Sequence, residues 1–142
     1  MNTRTFATIF GIVFIIVGIV GFIPGLTPMP GMAMDADSNV KMTTLFGYEL
    51  TLFPVNVLHD IVHLLFGIWG LLAARSLAGA RTYFRGVAII YALLTIMGFI
   101  PALRTTFGLI PLYGNDIWLH AVLAIVAAYF GWMNRDGAAT SA

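Results

Sequence analysis

The sequence contains no cysteine and has few charged residues. The absence of cysteine excludes disulfides, thiolate metal ligands, iron–sulfur clusters and covalently attached c-type haem. Charged residues make up only 9% of the chain, whereas about a quarter is usual in soluble domains. The net charge of +1 and the lack of a basic run give nucleic acid no surface to bind, so no nucleic-acid partner is expected. The chain also lacks a phosphate-binding loop, a nucleophile elbow and a paired acidic motif for hydrolysis.

Long apolar runs take the place of charge. Hydrophobic residues form 60% of the 142-residue chain, and several runs approach the roughly 20 residues needed to cross a bilayer. The sequence therefore predicts a single all-α domain with four transmembrane helices that lie in the lipid bilayer. Their predicted ranges are about 6–24, 56–75, 83–101 and 115–133, with an outer loop at 27–55. The apolar part of this loop, 42–53, is expected to lie along the membrane surface or to form a short hairpin.

The methionines of the outer loop suggest one specific ligand. Thioethers suit Cu(I), although methionine also pads amphipathic loops without binding a metal. The residues concerned are Met29, Met32, Met34 and Met42.

Two internal similarities indicate a repeat. Gly21-Phe22-Ile23-Pro24 recurs as Gly98-Phe99-Ile100-Pro101, at an offset of 77. Aligning Pro54 with Pro111, at an offset of 57, places His59 on Asp116 and His63 on His120. The chain is thus predicted to be two copies of one helical hairpin in the same orientation, related by a pseudo-two-fold axis along the membrane normal.

The basic residues predict the orientation. With both termini in the cytoplasm, five of the seven lie inside and two outside, as the positive-inside rule requires. The five are Arg4, Arg75, Arg81, Arg85 and Arg135, and the two are Lys41 and Arg104.

The three histidines of the chain define the candidate site. His59 and His63 share a helix face because they are four residues apart. Small residues lie below His63 and His120 on the same faces, which lets membrane helices approach closely. The second and fourth helices are therefore expected to be the closest-packed pair, crossing near Gly70 and Ala127. His63 and His120 would then approach within about 10 Å, close enough to share one ligand.

Several ligands fit these residues. His63 and His120 are candidate cofactor ligands, axial to a haem b or a chlorophyll-type pigment. His59, His63, Asp116 and His120 are candidate metal ligands for zinc, copper or non-haem iron. A structural polar network and proton handling are the alternatives, since acidic residues at helix amino termini are favourable without any metal.

The same residues resemble a known family. Phe53-Pro54-Val55-Asn56 followed by His59 and His63, with the Gly-Phe-Ile-Pro helix ends and the Asp116–His120 pair, is similar to a bacterial group of small four-helix membrane proteins. That group is a domain of unknown function, with a layout broadly like DoxX-like proteins. The resemblance covers about 5–132, and this chain departs from it at Asp60, where asparagine is expected. It implies four spans, a bacterial origin and hence the inner membrane, and it supplies no information on activity.

The function expected from these observations is that of a binding or accessory subunit. It would hold a metal, haem or pigment at the outer ends of the second and fourth helices, or dock onto another membrane protein or a second copy of itself. The alternative is a membrane enzyme with a histidine and carboxylate metal centre.

Overall fold

The structure, a computed structural model, describes residues 2–28 and 47–136. Four α-helices and one β-hairpin form its regular elements, and a 3-10 turn follows the third helix. A π-helical turn continues the fourth helix. In chain order the elements are α1 (Thr3–Val20), β1 (Gly47–Glu49), β2 (Phe53–Val55), α2 (Val57–Ala73), α3 (Leu77–Phe99), the 3-10 turn (Pro101–Leu103), α4 (Asn115–Ala128) and the π turn (Tyr129–Met133).

Three helices are long and apolar enough to cross a membrane. They are α1, α3 and the continuous helix Asn115–Met133 formed by α4 and its π turn. The second helix, α2, is equally apolar but has 17 residues. Large apolar side chains are exposed on each helix, among them Ile12, Leu65 and Ile125, so the outer surface of the bundle is suited to lipid rather than water.

Two predicted helix ends differ from the structure. The third helix begins at Leu77 rather than near 83, because the side chain of Ser76 accepts a hydrogen bond from the Gly79 amide at 3.0 Å and so caps it. The first helix ends at Val20 rather than near 24. Pro24 lacks an amide hydrogen and disfavours helical geometry in the residue before it, so the chain leaves the helix in turns.

The outer loop contains the one departure from an all-α fold in the described residues. β1 and β2 pair antiparallel, with Glu49 opposite Phe53, so the hairpin alternative is confirmed for the described part of the loop. The turn between the strands holds Leu50 and Thr51 at φ of 50° and 63°. The methionines considered as copper ligands lie outside the described residues.

The prediction that α2 and α4 form the closest-packed pair is wrong. α1 packs along α2, and α3 packs along α4. A Cβ atom on Gly67 would lie 2.7 Å from the carbonyl oxygen of Gly11, and one on Gly70 would lie 3.0 Å from the Gly11 Cα atom. The small residues of α2 therefore receive the neighbouring helix of the same hairpin, and they do not reach across the bundle to Ala127.

Both ends of the described chain lie at the same end of the bundle. The Thr3 amide donates to Asp136 Oδ1 at 2.8 Å, and Asn134 Nδ2 donates to Thr3 Oγ1 at 2.8 Å. The hairpin and the amino termini of α2 and α4 form the opposite end.

Candidate metal centre

Two asparagines join the amino termini of α2 and α4. Asn56 caps α2 by accepting from the His59 amide at 2.9 Å, and its Nδ2 donates to the Leu109 carbonyl at 2.8 Å. Asn115, the first residue of α4, donates in turn to the Leu52 carbonyl at 3.3 Å. Each helix start is therefore tied to the loop that precedes the other, which fixes the first turns of both helices relative to each other.

This arrangement brings three possible metal ligands together. One ligand atom each from His59, Asp116 and His120 lies within 4.8 Å of the other two. His120 Nδ1 is 3.5 Å from Asp116 Oδ2, and the three residues are 2–3% exposed. We refer to these three residues as the triad.

His63 lies beside the triad. Its ring centroid is 4.5 Å from that of His59, and the residue is 7% exposed. The His59 and His120 ring centroids are 6.2 Å apart. All four residues identified from the sequence therefore meet in one buried cluster, and His59 rather than His63 completes the group with Asp116 and His120.

The cluster holds polar atoms that have no hydrogen-bond partner among the described residues. They are His59 Nδ1, His63 Nδ1, His120 Nδ1 and Asp116 Oδ2. Burying such an atom without a partner costs about 1–3 kcal/mol, so four in one cluster call for an explanation. The His59 ring does hydrogen-bond the backbone of Pro54, which leaves its Nδ1 as the nitrogen available to a ligand.

Glu49 is part of this cluster and was not identified from the sequence. It is 5% exposed, although it comes from the outer loop. Burial, and secondarily the charge of Asp60, raises the pKa of Glu49 from 4.5 to about 7. The only sequence signal was its place in an apolar segment five residues before Pro54, because a hairpin there folds the glutamate back onto the helix ends.

The raised pKa of Glu49 predicts that the stability contributed by this residue is lost as pH rises. The folded state binds the proton of the Glu49 carboxyl more tightly than the unfolded state does. The stability that results is fully present below about pH 4.5 and is lost as pH rises past about 7. The contribution of Glu49 to the free energy of unfolding should therefore fall by on the order of 1 kcal/mol between about pH 5 and about pH 8, after allowing for solvent screening. Unfolding of wild type and Glu49→Gln in detergent at several pH values measures this, because the difference between the two profiles isolates the contribution of Glu49. If the Glu49→Gln variant keeps the wild-type slope, the assignment is contradicted.

A cleft between α1 and α4 reaches the cluster. Its volume is about 190 Å³, and His63 and His120 are the polar residues among those that line it. Its walls are apolar side chains of α1 and α4, including Val13, Phe14, Val17, Leu119 and Leu123. We call this the α1–α4 cleft.

Residues 4–133 match the sequence profile of one protein family, described as a domain of unknown function, DUF4383. The chain belongs to this family. The resemblance to an uncharacterised family is thereby confirmed, whereas the likeness to DoxX-like proteins and the histidine motif stay predictions. No curated protein and no solved structure matches the chain.

The buried cluster is a donor set. Two imidazoles and a carboxylate, withdrawn from water and with ligand atoms free, can bind a divalent transition metal. The same groups could also exchange protons, since imidazole and carboxyl side chains are general acids and bases.

Proposed function

We propose that the chain is a metal-binding membrane protein that holds one divalent ion with His59, Asp116 and His120. It acts as a binding or accessory subunit. The observation that carries the proposal is that three buried ligand atoms lie within 4.8 Å of one another. Ligands of one zinc ion are about 3–4 Å apart, given metal–ligand distances of about 2 Å, so small side-chain rotations close the triad onto an ion.

Zinc is the metal ion that matches this set of ligands best. Two histidines and one carboxylate with a further position left open is a common zinc arrangement. The same set is also used by non-haem Fe(II), and copper accepts imidazole, so metal analysis must decide between them. His63, beside His59, is close enough to serve as a fourth ligand or to contact a ligand of the ion.

A haem or chlorophyll-type pigment is less well supported than a metal ion. A macrocycle held between His63 and His120 would need far more room than the α1–α4 cleft of about 190 Å³ provides. Asp116 is also 3.5 Å from His120, where it would interfere with the ring. These two observations favour a bare ion.

We further propose four membrane spans arranged as two parallel hairpin repeats. One line of support is a pair of equivalent ring contacts. Phe14 lies 5.8 Å from His63, and Tyr91 lies 4.7 Å from His120, centroid to centroid. The offsets of 77 and 57 map the first pair onto the second. Phe14 and Tyr91, themselves equivalent, contact each other at 5.8 Å, as residues beside a two-fold axis do.

A second line of support comes from the backbone near the cluster. The carbonyls that accept from Asn56 and Asn115 belong to Leu109 and Leu52, which are equivalent at the offset of 57. The two acceptors are therefore equivalent in the repeats, although the donors Asn56 and Asn115 are not at equivalent positions. In this arrangement α2 crosses the membrane together with the three longer helices, which makes four spans. A helix of about 25 Å crosses the hydrocarbon core when its flanking residues reach the interface.

The proposed location is the bacterial inner membrane, with both termini in the cytoplasm and the metal centre near the outer face. Both ends of the described chain lie at the end of the bundle opposite the triad, which supports the even number of spans. Reporter fusions after residue 142 and within the outer loop should report opposite sides. A cytoplasmic loop would reverse the orientation and move the centre to the inner face. Docking onto another membrane protein or a second copy stays a prediction.

A membrane enzyme is the alternative function, and one observation favours it. The α1–α4 cleft is lined in part by His120, so a molecule in the cleft could approach an ion on the triad. Three protein ligands leave a coordination position for such a molecule.

The test is metal analysis of protein purified in mild detergent through a histidine-free tag. One equivalent of zinc, iron or copper is expected, and after chelation Co²⁺ should restore visible d–d absorption of a tetrahedral site. A Soret or chlorophyll band would replace the proposal by a pigment site. Absence of stoichiometric metal together with no Co²⁺ spectrum would leave the cluster as a structural polar network.

A further inference from the structure

The α1–α4 cleft has a filled counterpart on the other side of the bundle. There α2 meets α3, and Phe66 packs on Tyr91 with ring centroids 5.6 Å apart. The proposed repeat maps Phe66 onto Leu123 and Tyr91 onto Phe14, and both of these line the cleft. One side of the bundle is therefore closed by an aromatic ring, and the equivalent place on the other side holds a smaller leucine and a cavity.

The cleft opens where the surface of α1 is exposed. Val13, one of the residues that line it, is 51% exposed, and Leu119 on the opposite wall is 38% exposed. In a membrane this surface faces hydrocarbon, so a molecule dissolved in the bilayer can enter from the side. At the inner end are His63 and His120, both more than nine-tenths buried, each with an Nδ1 that lacks a hydrogen-bond partner in the described chain.

The size and polarity of the cleft limit what can occupy it. A cavity of about 150 Å³ is known to hold a benzene-sized molecule, so about 190 Å³ accommodates one ring or a single chain. None of the residues that line the cleft is a lysine or an arginine. An anionic head group would thus find no basic side chain to pair with along the cleft, whereas a neutral oxygen can hydrogen-bond to an imidazole.

We propose that the α1–α4 cleft binds a neutral membrane-soluble molecule, one ring or one chain wide, with its carbonyl or hydroxyl oxygen at His63 and His120. This inference rests on the proposed repeat and deepens the proposed function, because it names the class of molecule that reaches the metal centre. The two sources of such chemistry in a membrane are long-chain alcohols and quinones or quinols. Both present a neutral oxygen on an apolar body.

Photolabelling in detergent tests the proposal. A sixteen-carbon alcohol with a diazirine on its chain should label peptides of α1 and α4, and unlabelled hexadecanol or decylbenzoquinone should compete. Whichever competes better identifies the source. Leu123→Phe gives α4 the aromatic ring that α2 has at the equivalent position, Phe66. This variant should reduce labelling by about tenfold or more, because the ring fills the cleft. Val17→Phe, which fills the cleft from the α1 wall, should have the same effect. Val122→Phe is the matched control, since Val122 is 57% exposed and lies outside the cleft lining.

A second experiment tests the hydrogen bond between the oxygen of the bound molecule and His63. His63→Leu should weaken competition by hexadecanol about tenfold, the effect of one hydrogen bond, and leave competition by hexadecane unchanged. Equal competition by hexadecane and hexadecanol in wild type, or labelling that survives both Leu123→Phe and Val17→Phe, would overturn the proposal. All labelling is done on metal-free and zinc-loaded protein. Failure of zinc uptake with intact labelling then counts against the metal centre alone, and the reverse result counts against the cleft alone.

Discussion

Gly67→Leu should separate α1 from α2 and cause a large loss of stability. Even a Cβ atom at Gly67 would lie 2.5 Å from Ile15 Cγ1 and 2.7 Å from the Gly11 carbonyl oxygen. The backbone atoms of α1 cannot move aside as a side chain can. Overpacking of this kind costs about 1–3 kcal/mol, and a leucine should reach the upper end. Unfolding by denaturing detergent, followed by circular dichroism, measures the change.

The chain offers controls for this prediction. Gly25→Ala should be silent, because no atom lies within 4 Å of the added Cβ. The second hairpin carries Ala88 and Ala124 where the first has Gly11 and Gly67, so Ala124→Gly should cost only on the order of 1 kcal/mol, from helix propensity. If Gly67→Leu is as mild as Gly25→Ala, close approach of α1 and α2 is not what holds the first hairpin together.

The stability losses of Gly11→Ala and Gly67→Ala should not be additive, which gives a sharper test of the contact between α1 and α2. Gly11→Ala places a Cβ 2.9 Å from the Gly67 carbonyl, so it disturbs the same helix contact as Gly67→Ala. The double variant should lose less stability than the two single losses combined, because the helices separate only once. Strict additivity would show that the two glycines act independently.

Composition and periodicity were enough to predict the helices, because a bilayer needs long apolar runs and few other structures use them. The pairing of those helices was not predictable. The small residues Gly67 and Gly70 identify a face of α2 but not the partner that fills it, and the prediction chose α4 where the structure has α1. The contact forms where the partner helix also has a small residue, which is Gly11 on α1. The prediction considered small residues only on the helices that carry histidines, so it did not include Gly11.

The candidate site was predictable where it lies on helices. His59 and His63 share a face by spacing, and the offset of 57 led from them to Asp116 and His120. Glu49 was not predictable in this way, because no period relates a loop residue to a helix face. It enters the cluster through the β1–β2 hairpin, whose turn at Leu50 and Thr51 adopts left-handed backbone geometry that residues of these types rarely signal.

The repeat alone would make His63 and His120 equivalent, yet the geometry predicts different behaviour in metal binding. His120 is in the triad, within 4.8 Å of the ligand atoms of His59 and Asp116, whereas His63 lies beside it. His120→Leu should therefore lower the affinity for Co²⁺ or Zn²⁺ by more than about a hundredfold, since even groups outside the ligand shell account for about 10–100-fold. His63→Leu should lower it by no more than about tenfold. Competition against a chromophoric chelator measures both.

Stability without metal separates this prediction from a structural role. His120 Nδ1 has no hydrogen-bond partner in the described residues, so replacing the ring by leucine removes an unpaired polar atom and keeps most of the volume. Such a change is about neutral or mildly stabilising. The metal-free His120→Leu variant should thus unfold like metal-free wild type, and it should lack the stabilisation that zinc gives the wild type. If instead it loses about 2 kcal/mol or more in the absence of metal, His120 supports the fold through a polar network, and the triad is not a metal centre.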